Sequence, residues 1–131
     1  MSAKEVKEDR SYTKDHEWAK DEDGELVVGI TAFAVDQLGD ITLVGMDVGP
    51  GDRIEAGKTF GTIESVKTLS DLFAPVTGVV KKVNQELEDA PELVNDDPWE
   101  KGWMISIEPE GDRSHLLDPA AYRAHLEESD H

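Results

Sequence analysis

The sequence predicts a mainly β fold, an antiparallel sandwich or flattened barrel with short peripheral helices. Two observations carry this. Short runs of alternating apolar and polar residues recur from Leu26 to Ile107, and Gly, Pro, Asp or Asn separates one run from the next. The length of 131 residues suits one compact core but not two, and no shift in composition marks a boundary, so residues 1–131 are expected to form one domain.

Residues 1–11 are polar and without periodicity and are expected to fray. Leu26, Val28 and Ile30 alternate with Val27 and Gly29, as in a strand. Thr31 is then placed to cap a short helix with Phe33, Ala34 and Leu38 on one face and Gly39 as its stop. Ile41 to Val44 reads as a second strand, and Gly45 to Gly51 as a loop. Arg53-Ile54, Thr59 to Val66, Leu69 to Phe73, Gly78 to Val83 and Trp103 to Ile107 complete the strands. Glu88 to Gly102 is polar and contains proline, which predicts a loop with a helical turn. Asp118-Pro119 is a cap followed by proline, so 118–128 is read as a closing helix that docks Tyr122 and Leu126.

Composition narrows the function. Thirty acidic residues against thirteen basic ones give a net charge of −17, which repels nucleic acid and anionic lipid. That charge could steer basic protein partners or serve solubility alone; composition does not separate the two. No apolar run approaches the ~20 residues of a membrane span. The first residues resemble neither a secretory signal nor a transit peptide, so a cytoplasmic location is expected, or the mitochondrial matrix if the source is eukaryotic. Cysteine is absent, so disulfides, thiolate metal sites and a protein thiol nucleophile are excluded. Any sulfur chemistry must be imported.

The strands Thr59 to Val66 and Leu69 to Phe73 meet at Lys67-Thr68, which places Lys67 on a hairpin tip. A lone exposed lysine is usually a solvated surface charge. Here Glu64, Ser65, Val66 and Thr68 leave it accessible to an enzyme, and the flanking strands would hold it rigidly.

Glu64-Ser65-Val66-Lys67, followed by Ser70-Asp71 and Pro75-Val76-Thr77-Gly78, resembles the lipoyl-attachment region of the glycine cleavage system H proteins. Tyr12-Thr13-Lys14-Asp15-His16-Glu17-Trp18, Val28-Gly29-Ile30-Thr31, Gln37-Leu38-Gly39-Asp40, Pro91-Glu92-Leu93-Val94-Asn95 and Gly102-Trp103 are similar to that family's other landmarks, in its order. The run Gly45 to Pro50 departs from the family, which usually has an acidic residue followed by Leu-Pro there.

The resemblance implies a lipoyl/biotinyl-type, hammerhead-like sandwich with lipoic acid in amide linkage to Lys67. It implies a non-catalytic carrier that takes an aminomethyl group from a pyridoxal-phosphate glycine decarboxylase. A tetrahydrofolate-dependent aminomethyltransferase would receive that group, and a dihydrolipoamide dehydrogenase would reoxidise the dithiol. A lipoate ligase or lipoyl transferase would attach the arm. It further implies that the loaded arm folds into a cleft on the carrier, where Glu17 and Asp71 would hold the cationic amine. A monomer is expected, since nothing in the sequence demands more.

Other readings stand beside it. The arm could serve to relay lipoyl groups to other enzymes. A biotin carrier is disfavoured because Val66 and Thr68, not methionines, flank the lysine. A Schiff-base lysine would need a buried amine, and an unmodified acidic adaptor would need no lysine chemistry at all. His16 is read as structural or exposed, and the remaining histidines lack metal-ligand spacing. Trp18 and Trp103 are expected in the core, and Trp99, among Asp96, Asp97 and Glu100, partly exposed. No catalytic motif is present.

Overall fold

A computed structural model describes residues 5–111 and 113–129. Among these residues nine strands form two antiparallel sheets, accompanied by four short helices. The larger sheet holds β1 (Ser11–Tyr12), β2 (Glu17–Glu22), β3 (Glu25–Ile30), β9 (Ile105–Pro109), β8 (Gly78–Val83) and β5 (Arg53–Ile54), adjacent in that order. The smaller sheet places β6 (Thr59–Ser65) between β4 (Ile41–Met46) and β7 (Leu69–Phe73). Helix α1 (Ala32–Leu38) connects the sheets, α2 (Glu86–Asp89) and α3 (Glu92–Asp96) lie before β9, and α4 (Pro119–Ser129) closes the chain. Neither sheet closes on itself, so the fold is a sandwich and not a closed barrel. Among the described residues no helix is long and apolar enough to cross a membrane.

The alternation in the sequence becomes the core. Leu26, Val28 and Ile30 of β3 meet Ile63 and Leu72 of the smaller sheet and Ile105 and Ile107 of β9, all nearly inaccessible to water. Helix α1 begins where expected. The hydroxyl of Thr31 accepts the Ala34 N–H at 3.3 Å, and Gly39 ends the helix at φ 79° and ψ −150°. A side chain there would be strained, so glycine is the residue that can make this exit.

A second, aromatic cluster closes the other end. Tyr12 and Tyr122 stack with centroids 4.4 Å apart, and Trp99 meets Tyr12 edge-on at 6.3 Å. The Arg10 guanidinium lies 4.6 Å from the Trp18 ring centroid and donates to the Trp99 carbonyl at 3.0 Å. Arg10 is buried, and Glu5 accepts the Trp99 indole N–H at 3.0 Å. The segment expected to fray is therefore held against the body from Glu5 onward, because Arg10 gains two aromatic faces and a carbonyl. Residues 1–4 lie outside the described residues. Trp99, expected to be partly exposed, is only 4% accessible. Asp96 and Glu100 face solvent and Asp97 turns its carboxylate to the Glu100 and Lys101 N–H groups, while the Trp99 ring covers Tyr12 and Trp18.

The strands β1 and β2 escaped the sequence reading. β2 is too polar to show alternation, yet it pairs with β3 from Glu17↔Ile30 to Glu22↔Glu25. The turn between them is Asp23-Gly24, with φ of 52° and 85°, the geometry that a tight hairpin between right-twisted strands requires. The last core strand runs two residues later than expected, from Ile105 rather than Trp103.

Gly29 faces the Trp18 ring so closely that an added Cβ would sit 2.5 Å from the ring edge. Gly29→Ala is expected to destabilise the protein by about 1–3 kcal/mol, as overpacking does when neither backbone nor ring can yield. Urea unfolding midpoints of the two proteins would check this, and an unchanged midpoint would show that the indole moves freely.

Candidate functional site

Lys67 occupies the turn between β6 and β7, exposed to solvent. The turn is framed by its own backbone and by one buried hydroxyl. Ser65 N–H donates to the Thr68 carbonyl at 2.8 Å, and Ser65 Oγ accepts the N–H groups of Lys67 and Thr68 at 3.2 Å each. A serine suits this place because its short side chain reaches back to the following amides. Val66 N–H donates to the Asp40 carbonyl at 3.0 Å, tying the tip to the segment after α1. The lysine stem runs across Gly39, where an added Cβ would stand 3.2 Å from Lys67 Cε. The tip is accessible but not loose.

Apolar side chains surround it. Leu43, Val66 and Leu69 are 49%, 67% and 64% exposed, the large hydrophobic residues left open to water among those described. Register pairs Leu43 with Glu64 and Glu64 with Leu69, so the two leucines flank one carboxylate across the smaller sheet. Thr68 is exposed beside them.

A cleft of about 350 Å³ opens next to this hairpin. Ala34, Gln37 and Leu38 of α1 form one side, and Ser70, Asp71, Leu72 and Phe73 of β7 form another. His16, Glu17, Ile30 and Ile63 are also part of its lining. Both α1 and β7 lead toward Lys67, the first through Gly39 and the second through the hairpin turn. The cleft thus brings together Glu17 and Asp71, the two carboxylates singled out in the sequence. They differ sharply in environment. Asp71 is exposed at the rim, whereas Glu17 is 2% accessible.

Glu17 is already engaged. Its Oε2 accepts the Phe73 N–H at 2.8 Å and its Oε1 accepts the Thr13 hydroxyl at 3.1 Å. Burial pushes its carboxyl up to about 8, with those two hydrogen bonds pulling the other way. The residue read as an open acceptor for a cation is therefore also a joint between β2 and β7. Beside it, His16 takes φ 67° and sits 2.9 Å through Nδ1 from the Tyr122 hydroxyl. That hydroxyl also meets Thr31 Oγ1 at 2.8 Å. Burial, and then the neighbouring His125, lower His16 to about 4. His16 is thus a structural histidine that also borders the cleft. Among the described residues no group of His, Asp and Glu could hold a metal ion.

The sequence marks Gly39 as a helix stop and as part of a block resembling the family, and Asn95 only as part of such a block. The structure brings Gly39 against the lysine stem and Asn95 against Gly39. Asn95 Nδ2 donates to the Gly39 carbonyl at 2.9 Å and Asn95 Oδ1 accepts the Ile41 N–H at 2.8 Å. Sequence spacing gave no physical signal for this contact, since it joins distant segments.

Comparison with known proteins is consistent throughout. A family model described as Glycine cleavage H-protein matches residues 10–129. The glycine cleavage system H protein of Anaeromyxobacter sp. (strain K) is 50% identical over 129 residues, covering 96% of this chain and 99% of that protein. A probable glycine cleavage system H protein of Natronomonas pharaonis is 52% identical over 122 residues, covering 92% and 96%. The crystal structure of the H protein from Mycobacterium marinum superposes with a TM-score of 0.85 at 38% identity, over 93% of this chain and 99% of that one.

The Glu17 environment sets a pH dependence. Between about 4.5 and 8 the folded protein keeps a proton that the unfolded chain has released, so stability falls as pH rises through that window. His16 acts oppositely between about 4 and 6.5, where only the unfolded chain takes up the proton, so its contribution rises with pH. Above about pH 6.5 the Glu17 effect stands alone. Glu17→Gln keeps an acceptor for Phe73, so the variant is expected to gain stability relative to the parent between pH 6.5 and 8. Parallel unfolding midpoints across that range would show instead that Glu17 titrates as an ordinary carboxylate.

Proposed function

Because the chain belongs to the glycine cleavage H-protein family, we propose that it works as the lipoylated carrier of glycine cleavage, with Lys67 as the attachment point. The observation that carries this is the placement of Lys67. It is an exposed amine on a framed hairpin tip, its stem laid over a glycine, beside a cleft with an apolar floor and an acidic rim. The residues present fit a lipoyl arm. Nζ is free to form an amide, the missing Cβ of Gly39 leaves room for the stem, and Ile30, Ala34, Leu38 and Ile63 offer apolar walls.

The arm, when attached, supplies the two sulfurs that this cysteine-free chain lacks, one of them to carry the aminomethyl group of glycine. The chain's own residues place and shelter. The turn 65–68 holds the lysine backbone at a fixed orientation, so each partner meets the same geometry. The cleft excludes bulk water from what folds into it. Asp71 at the rim offers negative charge to a cationic amine, and Glu17 within offers a desolvated carboxyl whose attraction for a cation is strengthened once it ionises. A cation arriving beside Glu17 would also draw its carboxyl back toward the ionised form.

On this reading the whole chain acts as a single, monomeric carrier domain in the cytoplasm. Its partners are glycine decarboxylase, the aminomethyltransferase, dihydrolipoamide dehydrogenase and a lipoate ligase or lipoyl transferase. It catalyses no step itself. Tethering keeps the cargo at high effective concentration as it passes among them.

Incubation with lipoate, ATP and a lipoate ligase is expected to add one lipoyl group, less one water, on Lys67. Intact mass and peptide mapping would show it, and Lys67→Arg would abolish it. An unmodified Lys67 under conditions that lipoylate a control acceptor would overturn the carrier reading. In the loaded protein, replacing Glu17 and Asp71 by their amides is expected to shorten the lifetime of the aminomethyl form severalfold. An unchanged rate of release would remove both carboxylates from that role.

A further inference from the structure

We propose that Asn95 is a positioning residue for Lys67, acting through the backbone of residues 39–41; the inference rests on reading Lys67 as the attachment site. Asn95 lies in α3, on a different part of the chain from the hairpin, and acts on the lysine only through residues 39–41. Its amide meets the segment after α1 at two points of opposite polarity. Nδ2–H donates to the Gly39 carbonyl at 2.9 Å, and Oδ1 accepts the Ile41 N–H at 2.8 Å. A carboxylate could satisfy the second contact but would repel the Gly39 oxygen, and an apolar side chain would satisfy neither.

Between these anchored groups stands Asp40, whose carbonyl takes the Val66 N–H at 3.0 Å. Gly39, on the other side, is the surface over which the Lys67 stem runs. The two-point clamp therefore fixes both features of the body that the tip leans on, the carbonyl that holds residue 66 and the glycine under residue 67. Gly39 needs such a clamp. Its exit at φ 79° and ψ −150° lies outside regular helix and strand, where no repeating hydrogen-bond pattern would hold the chain. The bulge in the β4–β6 register between Ile41 and Leu43 likewise leaves this end of β4 without regular pairing. Asn95 supplies by a side chain the bonding that the ladder does not.

Two measurements on Asn95→Asp test this together. Amide hydrogen exchange at Val66 is expected to speed about tenfold, as for loss of a single positioning bond, while amides of the β8–β9 pair keep their protection. The specificity constant for lipoylation by lipoate ligase is expected to fall, with Lys67 remaining the site modified. Asn95→Ser, whose single short hydroxyl cannot span both anchors, should behave alike and guards against one variant failing to fold. Unchanged Val66 exchange in both variants would overturn the proposal. So would faster exchange spread equally over β8 and β9, which would mean general loosening. Failure of the parent protein to be lipoylated would instead strike the attachment reading, and Val66 exchange would still decide whether the clamp exists.

Discussion

The bond from the Phe73 amide to the buried carboxyl of Glu17 joins the two sheets where the cleft is made. One partner sits at the start of β2 in the larger sheet, the other at the end of β7 in the smaller one. Without it, the outer strand of the smaller sheet would present an unpaired amide, and nothing polar would set the spacing between β2 and β7. Apolar packing brings the sheets together but is indifferent to small sliding; a short directional bond is not. The cost is visible in the carboxyl itself, which burial raises to about 8. The same group that closes the fold thereby becomes a responsive element in the cleft, able to exchange a proton near neutrality.

From this joint the lysine is located by successive local contacts. β7 runs from Phe73 back to the turn, Ser65 ties the turn to itself, and Asp40 ties it to the end of α1. Helix α1 is in turn anchored at its start, where Thr31 both caps it and meets the Tyr122 hydroxyl of the closing helix. The aromatic end of the molecule and the lysyl end are thus linked through one short helix. Neither end can be held by a disulfide, because the chain has no cysteine.

Much of this was legible in the sequence. Thr31 and Gly39 carry strong local preferences, and α1 begins and ends on them. Gly78 to Val83 and Leu69 to Phe73 form strands over the residues predicted, with Val80 and Leu72 turned to the core. The Asp118 cap and the buried pair Tyr122 and Leu126 followed from helical spacing. What stayed hidden depends on contacts between distant segments. β2 is a polar strand made regular by its partner β3, although Asp23-Gly24 was a usable hairpin signal. The burial of Arg10 and Trp99 comes from mutual stacking that no local pattern encodes. At the site, the lysine and the two carboxylates could be picked out, but Glu17's engagement with Thr13 and Phe73 could not, because a carboxylate reads the same whether buried or bare.

The rim of Leu43, Val66 and Leu69 bears on how such a carrier must live among its partners. On the carrier reading every partner would need the same lysine, and these apolar side chains flank the way to it. Occupancy would then be mutually exclusive, and partners would have to queue. A complex tight enough to linger would stall the cycle for the others. Three side chains give a partner little apolar surface to hold, so on the carrier reading turnover of the cycle would depend in part on how readily this surface lets go.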